Sequence, residues 1–294
     1  MTMTVEARSL TLNYGKTTAL DELSFTLDGG KIYGLLGRNG SGKSSLLSVL
    51  AAFRKASGGE VLIGGEPVFE NPLVTRQICL IRESVDVVEA SDRVEEVLAF
   101  AAERRPNWDA DYAASLVDTF QLDMRQKVGE LSRGKQSALG AVLGLAARAP
   151  LTMFDETYLG MDAPPPYLFY DAILTDYIAH PRTIVVSTHL IEEVARIFEE
   201  VVIIDAGRLV LHEPAETLTA RGASVTGPAG QVDEFIAGLT VLNEKQLGRT
   251  KSAIVYGLLG AGQRQQARAA GLDLEPIALQ DLFVYLTTAK GGSR

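Results

Sequence analysis

Cysteine and tryptophan each occur once in this chain, and no stretch of it is both long and apolar. The lone Cys79 has no internal partner, which excludes a disulfide framework and makes a reducing compartment the simpler expectation. It lies in an apolar segment and is expected to pack rather than react. The longest run without charge, Gln136 to Ala147, falls far short of the roughly 20 apolar residues of a membrane-spanning helix. The N-terminus lacks a basic stretch followed by an apolar core, so no secretory leader is predicted. Basic residues are outnumbered, 28 against 37 acidic, and they form no Lys/Arg-rich run. The formal net charge of −9 argues against nucleic acid as the main partner, because neutralising phosphates needs a basic face. A hydrophobic share of 46% beside 22% charged residues excludes disorder and leaves one large globular domain or two modest ones.

What the chain does contain is a complete phosphate-binding loop, Gly37-Arg38-Asn39-Gly40-Ser41-Gly42-Lys43-Ser44. It follows the apolar, strand-like run from Lys31 to Leu36. It opens into a helical pattern with Leu46, Leu47, Leu50 and Phe53 predicted on one face. The glycines let the backbone bend so that successive N–H groups point at phosphate oxygens, and the helix N-terminus adds partial positive charge. Lys43 can reach the β- and γ-phosphates, and the Ser44 hydroxyl can ligate Mg²⁺. Strand before and helix after distinguish this motif from an ordinary glycine-rich turn, so the chain is expected to bind a nucleoside triphosphate.

Alternation at Leu10, Leu12 and Tyr14, and at Leu23, Phe25 and Leu27, predicts two strands ahead of the loop. A turn at Ser57-Gly58-Gly59 leads into a strand from Glu60 to Ile63, and Gly64-Gly65 predicts a hairpin back. Up to this point the pattern reads as a mixed sheet around the first helix. Residues from about 88 to 145 then read as a helical insertion. In it, Asp92 with Glu95 forms a capping-box pattern, Pro106 stops the first helix, Asp109 caps the second, and a third runs from Ser132 to Arg148. Trp108, between two of these helices, is expected to be a packing anchor. Apolar runs at Leu151–Phe154, Thr183–Thr188 and Val201–Ile204 predict buried parallel strands, with Asp205-Ala206-Gly207-Arg208 as a hairpin turn. After Pro214 the signals shorten, with a strand at Ala253–Tyr256 and a last helix carrying Leu279, Leu282, Phe283 and Leu286. This tail is long enough for a small α+β unit.

Asp155-Glu156 ends the strand from Leu151. A carboxylate there, beside the phosphate loop, can hold Mg²⁺ through its water shell, and the next one can orient or deprotonate a water. Taken in order, Tyr14, the phosphate loop, Leu131-Ser132-Arg133-Gly134-Lys135-Gln136, Phe154-Asp155-Glu156, Leu159-Gly160-Met161-Asp162 and Ser187-Thr188-His189 resemble the ATP-binding subunits of ABC transporters. The resemblance runs from about residue 5 to 212 and is strongest to the branch with ABC-2 type permeases, many of them exporters. It implies an α/β fold: a P-loop NTPase core of ABC ATPase type, with an antiparallel β subdomain, a helical subdomain and a small C-terminal α+β extension. On this reading residues 1–213 form the ATPase domain, and 214–294 form an extension that is regulatory or dimerising.

The same resemblance implies site roles. ATP would be held by Tyr14 stacking on adenine, by the loop from Gly37 through Ser44 with Ser45, and by Ser132, Arg133 and Gly134 reaching from a partner subunit. Asp162 would lie at the dimer seam. Ser44, Asp155 and Glu83 would hold Mg²⁺, while Lys43, Glu156 as general base and His189 would carry hydrolysis. His180 and His212 are expected to be surface or loop histidines. The implied partners are a second ATP-binding subunit and a transmembrane permease, with no nucleic acid. The implied location is cytoplasmic, peripheral on the inner face of the cell membrane through the permease.

Five residues in three segments depart from the family pattern. Arg133 and Lys135 replace neutral residues of the signature motif and are expected to lie near the triphosphate. Glu83 stands where a glutamine is common. Thr157-Tyr158 replaces the usual Pro-Thr and is expected to loosen the loop after Glu156. A non-transport member of the superfamily acting on ribosomes or chromosomes is the competing reading. A single phosphate loop and no sustained heptads weigh against it. A P-loop kinase or GTPase would leave residues 131–136 and His189 without a use.

Overall fold

The computed structural model describes residues 2–82, 89–158, 166–189, 191 and 195–289. The chain divides into two compact units, residues 1–189 with 196–212, and residues 213–294 with 190–195.

The first unit holds two sheets rather than the one mixed sheet that the early pattern suggests. Strands β1 (Val5–Tyr14), β2 (Thr17–Leu27), β4 (Gly58–Ile63) and β5 (Glu66–Pro67) form an antiparallel sheet in the order β2-β1-β4-β5. The strand before the phosphate loop, β3 (Ile32–Leu36), leaves them and joins a second sheet. That sheet has the order β10-β9-β3-β8-β7-β6, with β6 Ile78–Arg82, β7 Leu151–Asp155, β8 Thr183–Thr188, β9 Glu200–Asp205 and β10 Arg208–Pro214. Alternation cannot report this split, because period-2 patterning fixes which face a residue takes and not which strand lies beside it.

Strands β3, β7 and β8 are buried along their whole length, as expected of parallel strands covered on both faces. On one face Leu35, Met153, Val185 and Val202 share a core with Leu46, Leu47 and Leu50 of helix α1 (Lys43–Leu50). On the other, Phe154 meets Phe169 of helix α6 (Pro166–Ala179) edge-on at 5.1 Å. Cys79 is buried among Ala147, Ala149 and Ile81, and burial pushes its thiol pKa up, which keeps it inert.

Helix α2 (Pro72–Thr75) precedes β6, and helices α3 (Val94–Arg104), α4 (Ala110–Thr119) and α5 (Arg133–Ala146) follow it. The expected capping box is displaced by one residue: α3 starts at Val94, and the Glu96 carboxylate accepts the N–H of Arg93 at 2.7 Å. Asp109 caps α4 as expected, accepting the Tyr112 N–H at 2.9 Å. Trp108 is half-buried rather than an enclosed anchor. It lines an open cleft with Asp109, Arg148 and His180. Beneath that cleft Asp176, 1% exposed, is ion-paired at 2.5 Å to both Arg148 and Arg182.

The second unit follows the order β11 (Gly222–Pro228), helix Ala229–Ile236, β12 (Thr240–Leu247), β13 (Thr250–Tyr256), helix Ala261–Ala269, β14 (Asp273–Pro276). Its antiparallel sheet runs β12-β13-β11-β14. This is the split β-α-β arrangement of ferredoxin-like units. Its core gathers Val225, Val232, Phe235, Ile236, Ala253 and Val255.

Candidate functional site

Sheet order decides which residues meet. Parallel register pairs Leu36 with Thr188, Ser187 with Asp155, and Asp155 with Arg82. The carboxyl ends of β3, β8, β7 and β6 therefore stand side by side, at the edge where open α/β sheets bind ligands.

The phosphate loop leaves β3 at this edge. Gly42, the N-cap of α1, has φ of 107°, and a Cβ there would lie 2.7 Å from the Ala19 carbonyl oxygen, so any other residue would distort the loop. Having no side chain, this cap satisfies none of the first-turn N–H groups, which stay available to an anion. The Ser41 carbonyl accepts the Gly207 N–H at 2.9 Å, fixing the loop to the β9–β10 hairpin turn.

The Lys43 side chain is 5% exposed. Its ammonium donates to the Gly37 carbonyl at 2.7 Å and is ion-paired with Glu156 Oε1 at 3.1 Å. The same Oε1 approaches His189 Nδ1 at 3.4 Å. Asp155 is buried, and its Oδ1 accepts the Ser187 hydroxyl at 2.6 Å. Glu156 has a left-handed φ of 51°, rare for a residue with a side chain. Its N–H donates to the Ser187 carbonyl at 3.3 Å and to Ser187 Oγ at 3.2 Å, which holds it there. Ser187 thus holds the Asp155 carboxylate and the Glu156 backbone, a role its sequence position alone did not suggest.

Tyr14, Ser44, Ser45, Ser48, Arg54, Arg82, Asp155 and Glu156 line an open cleft of about 350 Å³. Of the expected site residues this brings Tyr14, Ser44, Ser45, Asp155 and Glu156 to one space, with Lys43 and His189 bonded or adjacent to Glu156. Gly37 and Ser41 are buried, while Arg38, Asn39 and Gly40 are exposed at the loop's outer turn. Ser132, Arg133 and Gly134 are not among the described residues lining this cleft. They start α5, where Ser132 Oγ accepts the Lys135 N–H at 3.3 Å. Glu83 and Asp162 lie outside the described residues.

Four expectations are corrected. Lys135 is not held near a phosphate: its ammonium donates at 2.7 Å to the carbonyls of Phe120 and Gln121, where it caps the end of α4. Thr157-Tyr158 does not loosen the loop. Thr157 is fully buried and donates to the Ile81 carbonyl at 3.3 Å, and the buried Tyr158 hydroxyl bonds Thr188 Oγ1 at 2.6 Å. Phe53 is off the α1 face, 55% exposed, with the Arg82 guanidinium 5.0 Å over its ring. His212 is no loop residue. It sits on β10, edge-on to Tyr33, and burial lowers its pKa.

Residues 20–158 match the family model for ABC transporters. That match covers just under half of the chain, and over it the chain is similar to the ATP-binding subunits of these transporters. One relative, the ABC transporter ATP-binding protein YtrB of Bacillus subtilis, is 27% identical over 192 residues, 65% of each chain. Another, the Nod factor export ATP-binding protein I of Neorhizobium galegae, is 28% identical over 228 residues, 74% of this chain and 64% of that one. The aligned region thus spans just under two thirds of these relatives' own length. Among solved structures, the ATP-binding subunit of an ABC transporter matches with a TM-score of 0.66 at 24% identity, covering 73% of this chain and 91% of that one, a likeness of fold. No helix among the described residues is long and apolar enough to cross a membrane.

Proposed function

We propose that this chain is the ATP-binding and ATP-hydrolysing subunit of an ABC transporter, closing with a second such subunit around two ATP molecules to drive a separate transmembrane permease. The observation that carries the proposal is the grouping of Lys43, Asp155, Glu156 and His189 at one strand edge, while Ser132 and Gly134 start a helix whose first turn does not line that cleft. A site with these two halves is completed by a second copy or a paralogue. The word export in the name of one relative supports an exporter, in keeping with the ABC-2 branch.

In this reading Tyr14 stacks on adenine, and the backbone from Gly37 to Ser45 cradles the phosphates. Lys43 exchanges its Glu156 partner for the β- and γ-phosphates. Freed from the ammonium, Glu156 faces the terminal phosphate, where it orients the attacking water and accepts its proton, with His189 beside it. Across the dimer, Ser132 and Gly134 cover the γ-phosphate, with Arg133 alongside and Asp162 at the seam. The Ser44 hydroxyl and the Asp155 carboxylate are hard oxygen donors that suit Mg²⁺, and Glu83 would add a further oxygen. No group of three or more His, Cys, Asp or Glu among the described residues could hold an ion unaided, which fits a metal carried largely by the nucleotide. Mg²⁺ would supply charge neutralisation on the phosphate oxygens.

The subunit would work at the cytoplasmic face of the membrane, held there by its permease. Residues 214–294 would serve as a regulatory or dimerising unit, and removing them should alter turnover or dimer formation. The central test is Ser132→Glu in the purified chain. It should bind ATP as the wild type does and lose most of its turnover. Unchanged phosphate release would refute the shared site.

A further inference from the structure

The end of α1 carries an arginine that the site as described leaves without a use. Helix α1 stops in a Schellman turn: the Phe53 N–H donates to the Ser48 carbonyl at 2.8 Å and the Ala52 N–H to the Val49 carbonyl at 3.0 Å. Ala52 takes the left-handed conformation, φ 58°, that glycine normally supplies at this position. An L-residue holds that conformation at a cost in backbone strain, so the sequence keeps the turn without the residue that would ease it. Beyond the turn Arg54 lines the cleft, and Phe53 packs against Arg82, which lines it too.

The two aromatic–arginine stacks at this cleft differ. Arg82 is anchored, with its guanidinium 5.0 Å over the Phe53 ring and 3.0 Å from Ser48 Oγ, which in turn donates to the Ser44 carbonyl at 2.5 Å. Arg54 is exposed, and its guanidinium stands 5.5 Å from the centroid of Tyr14. Tyr14 itself is 42% exposed and lines the same cleft as Ser44 and Ser45. A planar cation therefore lies over the ring assigned to the base, beside the loop assigned to its phosphates.

We propose that Arg54 is the second wall of the nucleotide-base slot. The guanidinium covers Tyr14 in the resting chain and, when nucleotide arrives, stacks on the outer face of the base, so that the base lies between ring and cation. The inference rests on the proposed ATP-binding role of Tyr14 and the phosphate loop. A guanidinium suits this task because it is flat, always charged and weakly hydrated, whereas an ammonium is a compact and strongly hydrated point charge. Every purine offers a π-face, so the slot would favour bases by stacking and not by reading their edges.

The test compares equilibrium binding of Mg-ATP and Mg-tripolyphosphate, by calorimetry, in the wild type, Arg54→Ala, Arg54→Lys and Lys43→Ala. Arg54→Ala should weaken ATP about 2- to 30-fold, the range for a cation–π contact of roughly 0.5–2 kcal/mol, and leave tripolyphosphate unchanged. Arg54→Lys should recover only part of the loss. Lys43→Ala should lose both ligands. Equal loss of ATP and tripolyphosphate in Arg54→Ala would overturn the slot and make Arg54 a phosphate contact. Unchanged or tighter ATP binding would overturn it as well, leaving Arg54 a cover for Tyr14 alone. Failure of the wild type to bind ATP at all would instead sink the ATP-binding reading beneath it.

Discussion

Replacing Glu156 by glutamine should separate binding from hydrolysis, and the geometry gives both effects a size. The carboxylate lies 3.1 Å from the Lys43 ammonium, and at an effective dielectric of ~20 that pair attracts with about 5 kcal/mol before desolvation is counted. Desolvation of the two partly buried charges offsets most of this, so the net tie is on the order of 1 kcal/mol. On the proposed function a triphosphate would have to break that tie to reach Lys43, and its terminal phosphate would then face the carboxylate. Glutamine removes the tie and the like charge together, so ATP should bind several-fold more tightly. Turnover should fall by about 10²–10⁴, the range for losing a general base, or roughly 3–5 kcal/mol of barrier. Quench-flow phosphate release at saturating Mg-ATP, equilibrium ATP binding and light scattering give the three readouts. The expected variant is an ATP-bound dimer that barely hydrolyses. Turnover within about ten-fold of wild type would remove Glu156 from the base role, and weaker ATP binding would contradict the resting Lys43–Glu156 lock.

Other outcomes follow from single contacts. Tyr158→Phe removes the hydroxyl bond to Thr188 Oγ1 and should cost about 1 kcal/mol in chemical denaturation, whereas an unchanged midpoint would mean the bond carries no stability. Asp176→Ala strands the buried Arg182 guanidinium and leaves the half-buried Arg148 with Asp109 as its ion partner, and it should cost about 3–5 kcal/mol, with Asp176→Asn the milder variant if the first does not fold. His212 has a folded pKa lowered by burial, so the unfolded chain binds the proton more readily. Stability should therefore fall as pH drops through the ordinary value of 6.5 toward the lower folded value, and His212→Gln should flatten that slope in urea titrations at pH 5–8. A slope unaltered by His212→Gln would assign the pH dependence to other groups.

The phosphate loop and the Asp155-Glu156 pair were legible because their chemistry depends on neighbours in the chain. A glycine pattern, a following helix and a strand-end carboxylate are all local. The partners of Thr157 and Tyr158 were not, since Ile81 and Thr188 come within reach only once β6, β7 and β8 are ordered side by side. Lys135 misled for a related reason: composition placed a cation in the signature motif, while the packing of α5 beside α4 sent it to the carbonyls of Phe120 and Gln121. Arg54 and Phe53 were hidden by Ala52, because helical periodicity continues through that residue while its backbone turns left-handed. In the second unit the strand signals beyond Pro214 were short, and no local pattern could give the order β12-β13-β11-β14.

The bond between the Gly207 N–H and the Ser41 carbonyl, with the Gly207 carbonyl accepting the Asp21 N–H at 3.0 Å, bears on the order of synthesis. The letters of the phosphate motif leave the ribosome early, but the turn that fixes their shape is made more than 160 residues later. A nascent chain therefore carries the motif long before it carries the site. Nucleotide should begin to protect the chain from proteolysis only after the β9–β10 hairpin has emerged, so ATP reports completion of the first unit rather than guiding its start.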